Sequence, residues 1–344
     1  MDQKKTLLLR AEEPFSACDD IGTAARLLAE GGVVAIPTET VYGLAADAFN
    51  GDAVAAIFAA KGRPQDNPLI VHISEPEQMS RLAAEVTDTA RLLADAFWPG
   101  PLTMILPKRQ EVLSCVTGGL DTVAIRCPSH PVAREVIRQA GTPLAAPSAN
   151  RSGSPSPTTF DHVLADMQGR VEAILDGGSC GVGVESTVLD LTCQPPMILR
   201  PGGITAEMLR EVLGEVAVNH AVYQELERGE KAASPGMKYK HYAPTAEVIL
   251  IDGDLERFVS LLPADPPAGT YALCFDGEEE AIPLPCLSCG GETDPSAQAR
   301  ELYAALRKLD ELGARRAYAR MPSKDGMGLA VYNRLIRAAA FRIL

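Results

Sequence analysis

What most constrains this chain is the order of its apolar segments. Before residue 217, eight short runs have strand character and are bounded by glycine, proline or polar turn residues: "VVAIPTET", "PLIVHI", "LTMIL", "TVAIRC", "PLAAPSA", "EAILDGG", "STVLDL" and "MILRPG". Four stretches of helical periodicity interrupt them. Residues 16–32 place Ile21, Ala24, Ala25, Leu28 and Ala29 on one face and stop at Gly31-Gly32. "DAVAAIFAAKG" stops at Gly62, "MSRLAAEVTDTARLLADAF" runs to the turn "WPGP", and "HPVAREVIRQAG" joins two of the strands. Successive parallel strands each need a crossover, usually a helix. Here strands outnumber helices in an irregular order, so the pattern predicts a mixed sheet in an α/β layer fold.

From about residue 218 the pattern lapses. "NHAVYQELERGEKAASPGMKYKHYAPTA" holds one short polar helical piece and then a loop with two prolines. Loops of that length are linkers or functional lids. A fresh α/β pattern begins at "EVILID" and continues through "TYALCF", a helix with Ala299, Leu302, Leu306 and Leu309 on one face, "RRAYARMP" and "GLAVYNRLIRAAAF". The expected organisation is a larger domain over 1–217, a linker over 218–246 and a small α/β domain over 247–344. A chain of 344 residues accommodates both.

Several function classes are disfavoured. No apolar run approaches the roughly 18 residues of a membrane span, and the four-residue patch in "MDQKKTLLLRAEEPF" is too short for a signal peptide. Cys286 and Cys289 form a lone CxxC among eight scattered cysteines, without the second pair or histidines that a zinc site needs. Reduced thiols in a cytoplasmic protein fit this usage. The net charge of -13 argues against generic binding to a phosphate backbone, so any anion site must be a local concentration of cations.

Such concentrations exist. Neither glycine-rich phosphate motif occurs in a strand-to-helix context, and "GSCGVGVES" has the wrong spacing for both. Lys61 and Arg63 flank the glycine that ends a helix, where cations also serve the helix dipole. An arginine there can clamp a phosphate or carboxylate while the lysine acts as a point charge. Ser148 and Asn150 leave a short apolar strand in "PSANRSGSPSPTT", whose composition also suits a plain loop. Arg126 and Arg200 each end an apolar strand, directing a guanidinium to the rim of a sheet. His72 alternates with apolar residues in "LIVHI", a pattern that core histidines share. There is no G-x-S-x-G elbow for a serine nucleophile.

Seven segments together resemble the YrdC family: "IPTETVYGLAADA", "AKGRPQDNPLIVHI", "FWPGPLTMIL", "VAIRCPSHPVA", "PLAAPSANRSGSPSPTT", "ILDGGSCGVGVESTVLDL" and "ILRPGGIT". They occur in the family's order over most of residues 15–215, and "SPGMKYKHYAP" resembles the linker of its long, two-domain form. The resemblance implies a twisted mixed sheet with a concave cavity and a smaller Rossmann-like C-terminal domain. It implies a nucleotidyltransferase that joins L-threonine, bicarbonate or CO2, and ATP into threonylcarbamoyl-adenylate and pyrophosphate. Mg2+ would arrive with ATP, and no organic cofactor is implied. A downstream threonylcarbamoyl-transferase complex would then modify adenosine 37 of tRNA, making tRNA a pathway target and not a firm ligand.

The family's Lys-x-Arg and Ser-x-Asn signature falls on Lys61, Arg63, Ser148 and Asn150. By the same resemblance Arg63, Asn67, Thr122, Ser148, Asn150, Ser156 and Arg200 bind ATP, and Tyr242 reaches the nucleotide from the linker. Thr40, His72, Arg126 and Ser186, with the backbone at Ala146, bind threonine; Thr38 is a neighbour of open role. Two other readings stand beside this one. A non-catalytic module could hold structured RNA in the same cavity. A carbamoyl-adenylate enzyme of hydrogenase maturation would need an acylphosphatase segment and paired zinc fingers, neither of which the sequence contains.

Overall fold

The computed structural model describes residues 4–65, 67–225 and 242–344, so most of "SPGMKYKHYAP" lies outside the described residues. Eleven strands form one sheet in the order Leu7–Arg10, Ala173–Asp176, Val34–Ile36, Gly43–Asp47, Leu144–Ala145, Ile70–His72, Thr122–Arg126, Leu102–Pro107, Thr187–Asp190, Met197–Arg200, Ala217–Val218. Five neighbouring pairs are parallel and five antiparallel. The mixed sheet expected from the irregular element order is therefore present.

Helices cover the sheet where the apolar periodicity demands it. Helix Asp19–Ala29 buries Ile21, Ala24 and Leu28 with Val132, Val136 and Ile137 of helix Pro131–Ala140, against Val34 and Ile36. Helix Gly51–Lys61 begins where the Asn50 side chain accepts from the N–H groups of Asp52 and Ala53. It ends at Gly62, whose left-handed φ of 63° suits glycine and turns the chain at once toward Arg63. Val54, Ile57 and Phe58 anchor that helix in the main core, which fixes where Lys61 emerges.

One expected helix is not continuous. "MSRLAAEVTDTARLLADAF" divides into a 3-10 turn at Pro76–Arg81, a bridge between Ala83 and Lys108, and helix Asp88–Phe97. The Thr87 hydroxyl accepts from Ala90 N at 3.2 Å, so a cap inside the apparent period starts the true helix. The threonine-capped helices Phe160–Met167 and Ala206–Leu213, and the antiparallel return strand Gly43–Asp47, were not expected.

The second sheet is all parallel, in the order Glu247–Ile251, Arg316–Arg320, Thr270–Cys274, Cys286–Ser288. Phe258 of helix Leu255–Ser260 packs on one face with Ile249, Ile251 and Tyr318. Helices Pro295–Glu311 and Gly328–Ala338 cover the other. Helices on both faces of a parallel sheet give the Rossmann-like arrangement expected. Cys286 and Cys289 belong to opposite faces of this sheet, and burial raises both thiol pKa values, that of Cys289 to about 12. The CxxC spacing is thus a consequence of packing.

The two units share a core, because Val41 and Val184 of the first pack among the apolar residues of the second. Gly183 permits that approach: a Cβ there would come within 2.4 Å of the Ala299 carbonyl oxygen. This explains the glycine in "GVGVES" without any phosphate motif. No helix among the described residues is long and apolar enough to cross a membrane.

Candidate active site

Strand register brings the chemistry-bearing residues together. Parallel pairing of Ile70–His72 with Thr122–Arg126 sets His72 beside Arg126, and Thr103 lies opposite Arg126 on the next strand. Thr103 in turn meets Ser186, hydroxyl to hydroxyl, at 2.8 Å. Arg200, at the end of its own strand, donates from Nε to Ser186 O at 3.1 Å and from Nη2 to Ser186 Oγ at 3.2 Å. The result is a cleft lined by Lys61, Arg63, Arg126 and Arg200 together. Thr40, His72, Ala146, Ser148, Asn150, Ser186 and Tyr242 also line it.

Lys61 is buried and acts as a fastener. Its Nζ donates to Ser148 O, to Asn150 O at 2.8 Å and to Asn150 Oδ1 at 3.3 Å. Burial, and then the Arg63 guanidinium, push its pKa well below the usual lysine value; the three accepting oxygens oppose this by favouring the ammonium. The Ser148 hydroxyl also donates to Asn150 Oδ1, and Asn150 Nδ2 donates to Arg151 O and Ser154 O at 2.8 Å each. Both ends of the Asn150 amide therefore organise the loop. The Lys-x-Arg and Ser-x-Asn segments form one hydrogen-bonded unit, with Arg63 and Ser148 at the cavity wall.

On the opposite side a directional chain of hydroxyls meets Arg126. Thr38 Oγ1 donates to Val41 O at 2.6 Å, so the 2.9 Å contact between Thr38 and Thr40 must use the Thr40 proton. Thr40 Oγ1 then accepts from Arg126 Nη1 at 2.8 Å. Glu39 Oε2 lies 2.7 Å from Arg126 Nη2. Burial alone would raise the Glu39 carboxyl, but the Arg126 charge and hydrogen bond bring it below its ordinary value. Burial and the same guanidinium depress His72 to about 3, so its ring is neutral near pH 7. Its Nδ1 is 3.3 Å from Ile70 O, a contact that the Nδ1–H tautomer satisfies, leaving Nε2 as an acceptor. The Ala146 N–H is committed to Ile70 O at 3.0 Å, so only its carbonyl remains for a ligand.

Three expected residues are not brought to the wall. Ser156 is fully buried and its hydroxyl donates to Glu185. Thr122 begins the strand that Arg126 ends, about 13 Å away at ~3.3 Å per residue. Asn67 is fully buried, and neither its Oδ1 nor its Nδ2 has a hydrogen-bond partner among the described residues. An unsatisfied amide at that depth calls for a polar group from elsewhere.

Sequence reasoning missed Glu185, which lines the cavity while 7% exposed. It also missed the residues that hold it, Tyr303 and Arg334 of the second unit. The signal was available: helix Gly328–Ala338 is buried along its whole length yet carries Asn333, Arg334 and Arg337. Polar side chains in a wholly buried helix need buried partners.

Comparison with known proteins decides the family. A family model described as "Telomere recombination" matches residues 26–202. A second, described as "Threonylcarbamoyl-AMP synthase, C-terminal domain", matches residues 204–340. The chain belongs to the threonylcarbamoyl-AMP synthase family, in its long two-domain form. It is 45% identical over 334 residues to the threonylcarbamoyl-AMP synthase of Pyrococcus abyssi, covering 94% of this chain and 95% of that one. It is 47% identical over 328 residues to that of Bacillus subtilis, covering 94% of each. A crystal structure of P. abyssi Sua5 complexed with L-threonine superposes with a TM-score of 0.90 at 43% identity, covering 99% of both chains.

Proposed function

We propose that this protein condenses L-threonine, bicarbonate or CO2, and ATP into threonylcarbamoyl-adenylate and pyrophosphate. The observation that carries the reading is the convergence of Lys61, Arg63, Arg126 and Arg200, from three segments of an acidic chain, on one small concavity. Both principal substrates are anionic, and such cations offset their mutual repulsion.

Threonine is assigned to the Arg126 side, where Thr40, His72, Ser186 and the Ala146 carbonyl offer complementary polar atoms. The nucleotide is assigned to the side built by Arg63, Ser148 and Arg200. Asn67 and Thr122 would extend that side along the strands, with Tyr242 at its edge. Lys61 and Asn150 line this wall and brace its loop, and Ser156 supports it from behind through Glu185. Threonine's neutral amine attacks the carbon of CO2 and releases a proton, or that of bicarbonate, whose hydroxyl leaves with the amine proton as water, and a carbamate forms. A carbamate oxygen then attacks the α-phosphorus, the bond to the β,γ-pyrophosphate breaks, and pyrophosphate leaves; Mg2+ carried in with ATP would screen charge on the phosphates. No covalent enzyme intermediate is needed, so positioning and fixed charge supply the acceleration. His72, neutral and with Nε2 as an acceptor, is suited to receive a hydrogen bond from the substrate.

We place the protein in the cytoplasm, where ATP and reduced thiols coexist; its eight cysteines are unpaired. Its product would pass to a threonylcarbamoyl-transferase complex acting on adenosine 37 of tRNA. An RNA-binding role for the cavity is not favoured. Arg126 and Arg200, two of the four cations that line it, are only 3% and 6% exposed, out of reach of a duplex. The test is pyrophosphate release by the purified full-length protein, with each substrate omitted in turn. Release that needs both L-threonine and bicarbonate is expected. RNA binding without such turnover overturns the reading.

A further inference from the structure

Glu185 poses an electrostatic problem. A carboxylate in the wall of a cavity that accepts a triphosphate and an amino acid repels both. The second domain supplies its counter-charge. Arg334 is fully buried, and its Nε lies 2.9 Å from Glu185 Oε2. Its Nη2 donates to the Glu185 carbonyl at 3.0 Å and its Nη1 to the Pro201 carbonyl at 2.7 Å. Glu185 precedes Ser186 and Pro201 follows Arg200, so one guanidinium clamps the backbone on both sides of the Ser186–Arg200 pair. The Tyr303 hydroxyl lies 2.8 Å from Glu185 Oε2, and Ser156 donates to Oε1. Burial would raise the Glu185 carboxyl, but Arg334, and after it Arg200, hold it below its ordinary value. The Tyr242 ring completes the group, with its centroid 5.7 Å from the Arg334 guanidinium carbon and 5.7 Å from the Tyr303 ring.

We propose that Arg334, with Tyr303, is a positioning residue for adenylate formation, neutralising Glu185 and fixing the Ser186–Arg200 pair from the second domain. Neither Arg334 nor Tyr303 lines the cavity. The inference rests on the function proposed above and gives the second domain a specific task within that reaction. Arg200 acts on the Glu185 carboxylate through its charge, second to Arg334. With Arg334 present the Glu185 charge is already met; without it that charge falls on Arg200 and disturbs the Ser186–Arg200 pair.

A double-substitution cycle separates this role from simple domain docking. The readout is pyrophosphate release with KM for ATP and kcat measured separately, on full-length wild type, Arg334→Met, Glu185→Gln and the Glu185→Gln/Arg334→Met pair. Arg334→Met is expected to raise KM for ATP at least thirtyfold. The paired variant is expected to recover at least tenfold of that loss, because a neutral glutamine needs no cation. Arg307→Met, which breaks a docking contact to Pro155 O and Asp166 elsewhere on the interface, is expected to shift KM less than threefold. A paired variant as impaired as Arg334→Met, or Arg334→Met with wild-type KM, overturns the proposal. If Arg334→Met does not fold, Arg334→Lys decides: retained charge should keep KM within fivefold of wild type, and a thirtyfold rise overturns neutralisation. Wild type that releases no pyrophosphate overturns the functional reading instead. Titration of ATP into the same variants then reads the charge balance on its own.

Discussion

Each domain ends a buried strand with an arginine, and the two domains use it differently. In the second, Arg320 is 3% exposed, as buried as Arg126 in the first. Its Nε donates to both oxygens of Glu278 at 3.0 and 3.1 Å, its Nη2 lies 2.9 Å from Glu292, and the Phe275 ring is 5.1 Å from its guanidinium carbon. Two carboxylates surround one cation, so this end of the second sheet carries no surplus positive charge. In the first domain four cations line the cavity; among the described residues Arg126 pairs with Glu39, and Glu185 pairs with Arg334 of the second domain. Burial and strand-end placement are common to both regions. What distinguishes them is the gathering of four cations on one cavity, against a single arginine held between two carboxylates.

The contrast can be broken at several points. The largest effect should come from ending the chain near residue 217. That removes Arg334, Tyr303 and Tyr242 and exposes Val41 and Val184, and turnover should fall at least 1000-fold; a fully active fragment would show the second domain to be dispensable. Next, Arg126→Met and Arg320→Met should diverge. The first is expected to lower kcat/KM by about 10²–10³, as when one preorganised donor is lost. The second should leave turnover of the folded protein within about threefold but lower unfolding stability by about 3 kcal/mol, by breaking a buried pair. Equal activity losses in the two would erase the distinction. Lys61→Ala and Arg63→Ala are expected to cost about 10² in turnover while circular dichroism stays native. Near-wild-type rates in either would remove it from the site.

The smallest effect sharpens the charge argument through pH. His72 has its folded pKa depressed from 6.5 to about 3, so the unfolded chain binds its proton first. Its contribution to stability is present above about pH 6.5 and is lost as pH falls toward 3, amounting to about 2 kcal/mol by pH 5. Denaturant titrations at pH 7 and pH 5 should show that loss in wild type and much less of it in His72→Gln. An identical pH dependence in both would place the titration elsewhere.

Much of this was legible in the sequence, for physical reasons that differ by residue. Alternation and turn residues located most strands, and Gly62 marked a helix end because only glycine suits its backbone angle. Strand ends at Arg126 and Arg200 pointed to a sheet rim, and register then brought them together. The long reading across Thr87 failed because apolar spacing persisted through a capping residue. Asn150 was singled out from its segment; it lines the cavity, and its amide also shapes the loop. Glu185 and Arg334 were illegible as a pair, being 149 positions apart with nothing local to connect them. The buried NR of the final helix was the available warning.

The hydroxyl sequence running from Arg126 through Thr40 and Thr38 to the Val41 carbonyl carries its hydrogens one way only. Thr40 has therefore already given its proton away, and what it keeps on its oxygen is an unshared electron pair. Whatever comes to rest against it must arrive bearing hydrogen: an amine or an alcohol is welcome, and a bare carboxylate is turned toward the guanidinium next door. For the amino acid proposed as substrate, this arrangement would sort its two ends before any chemistry starts.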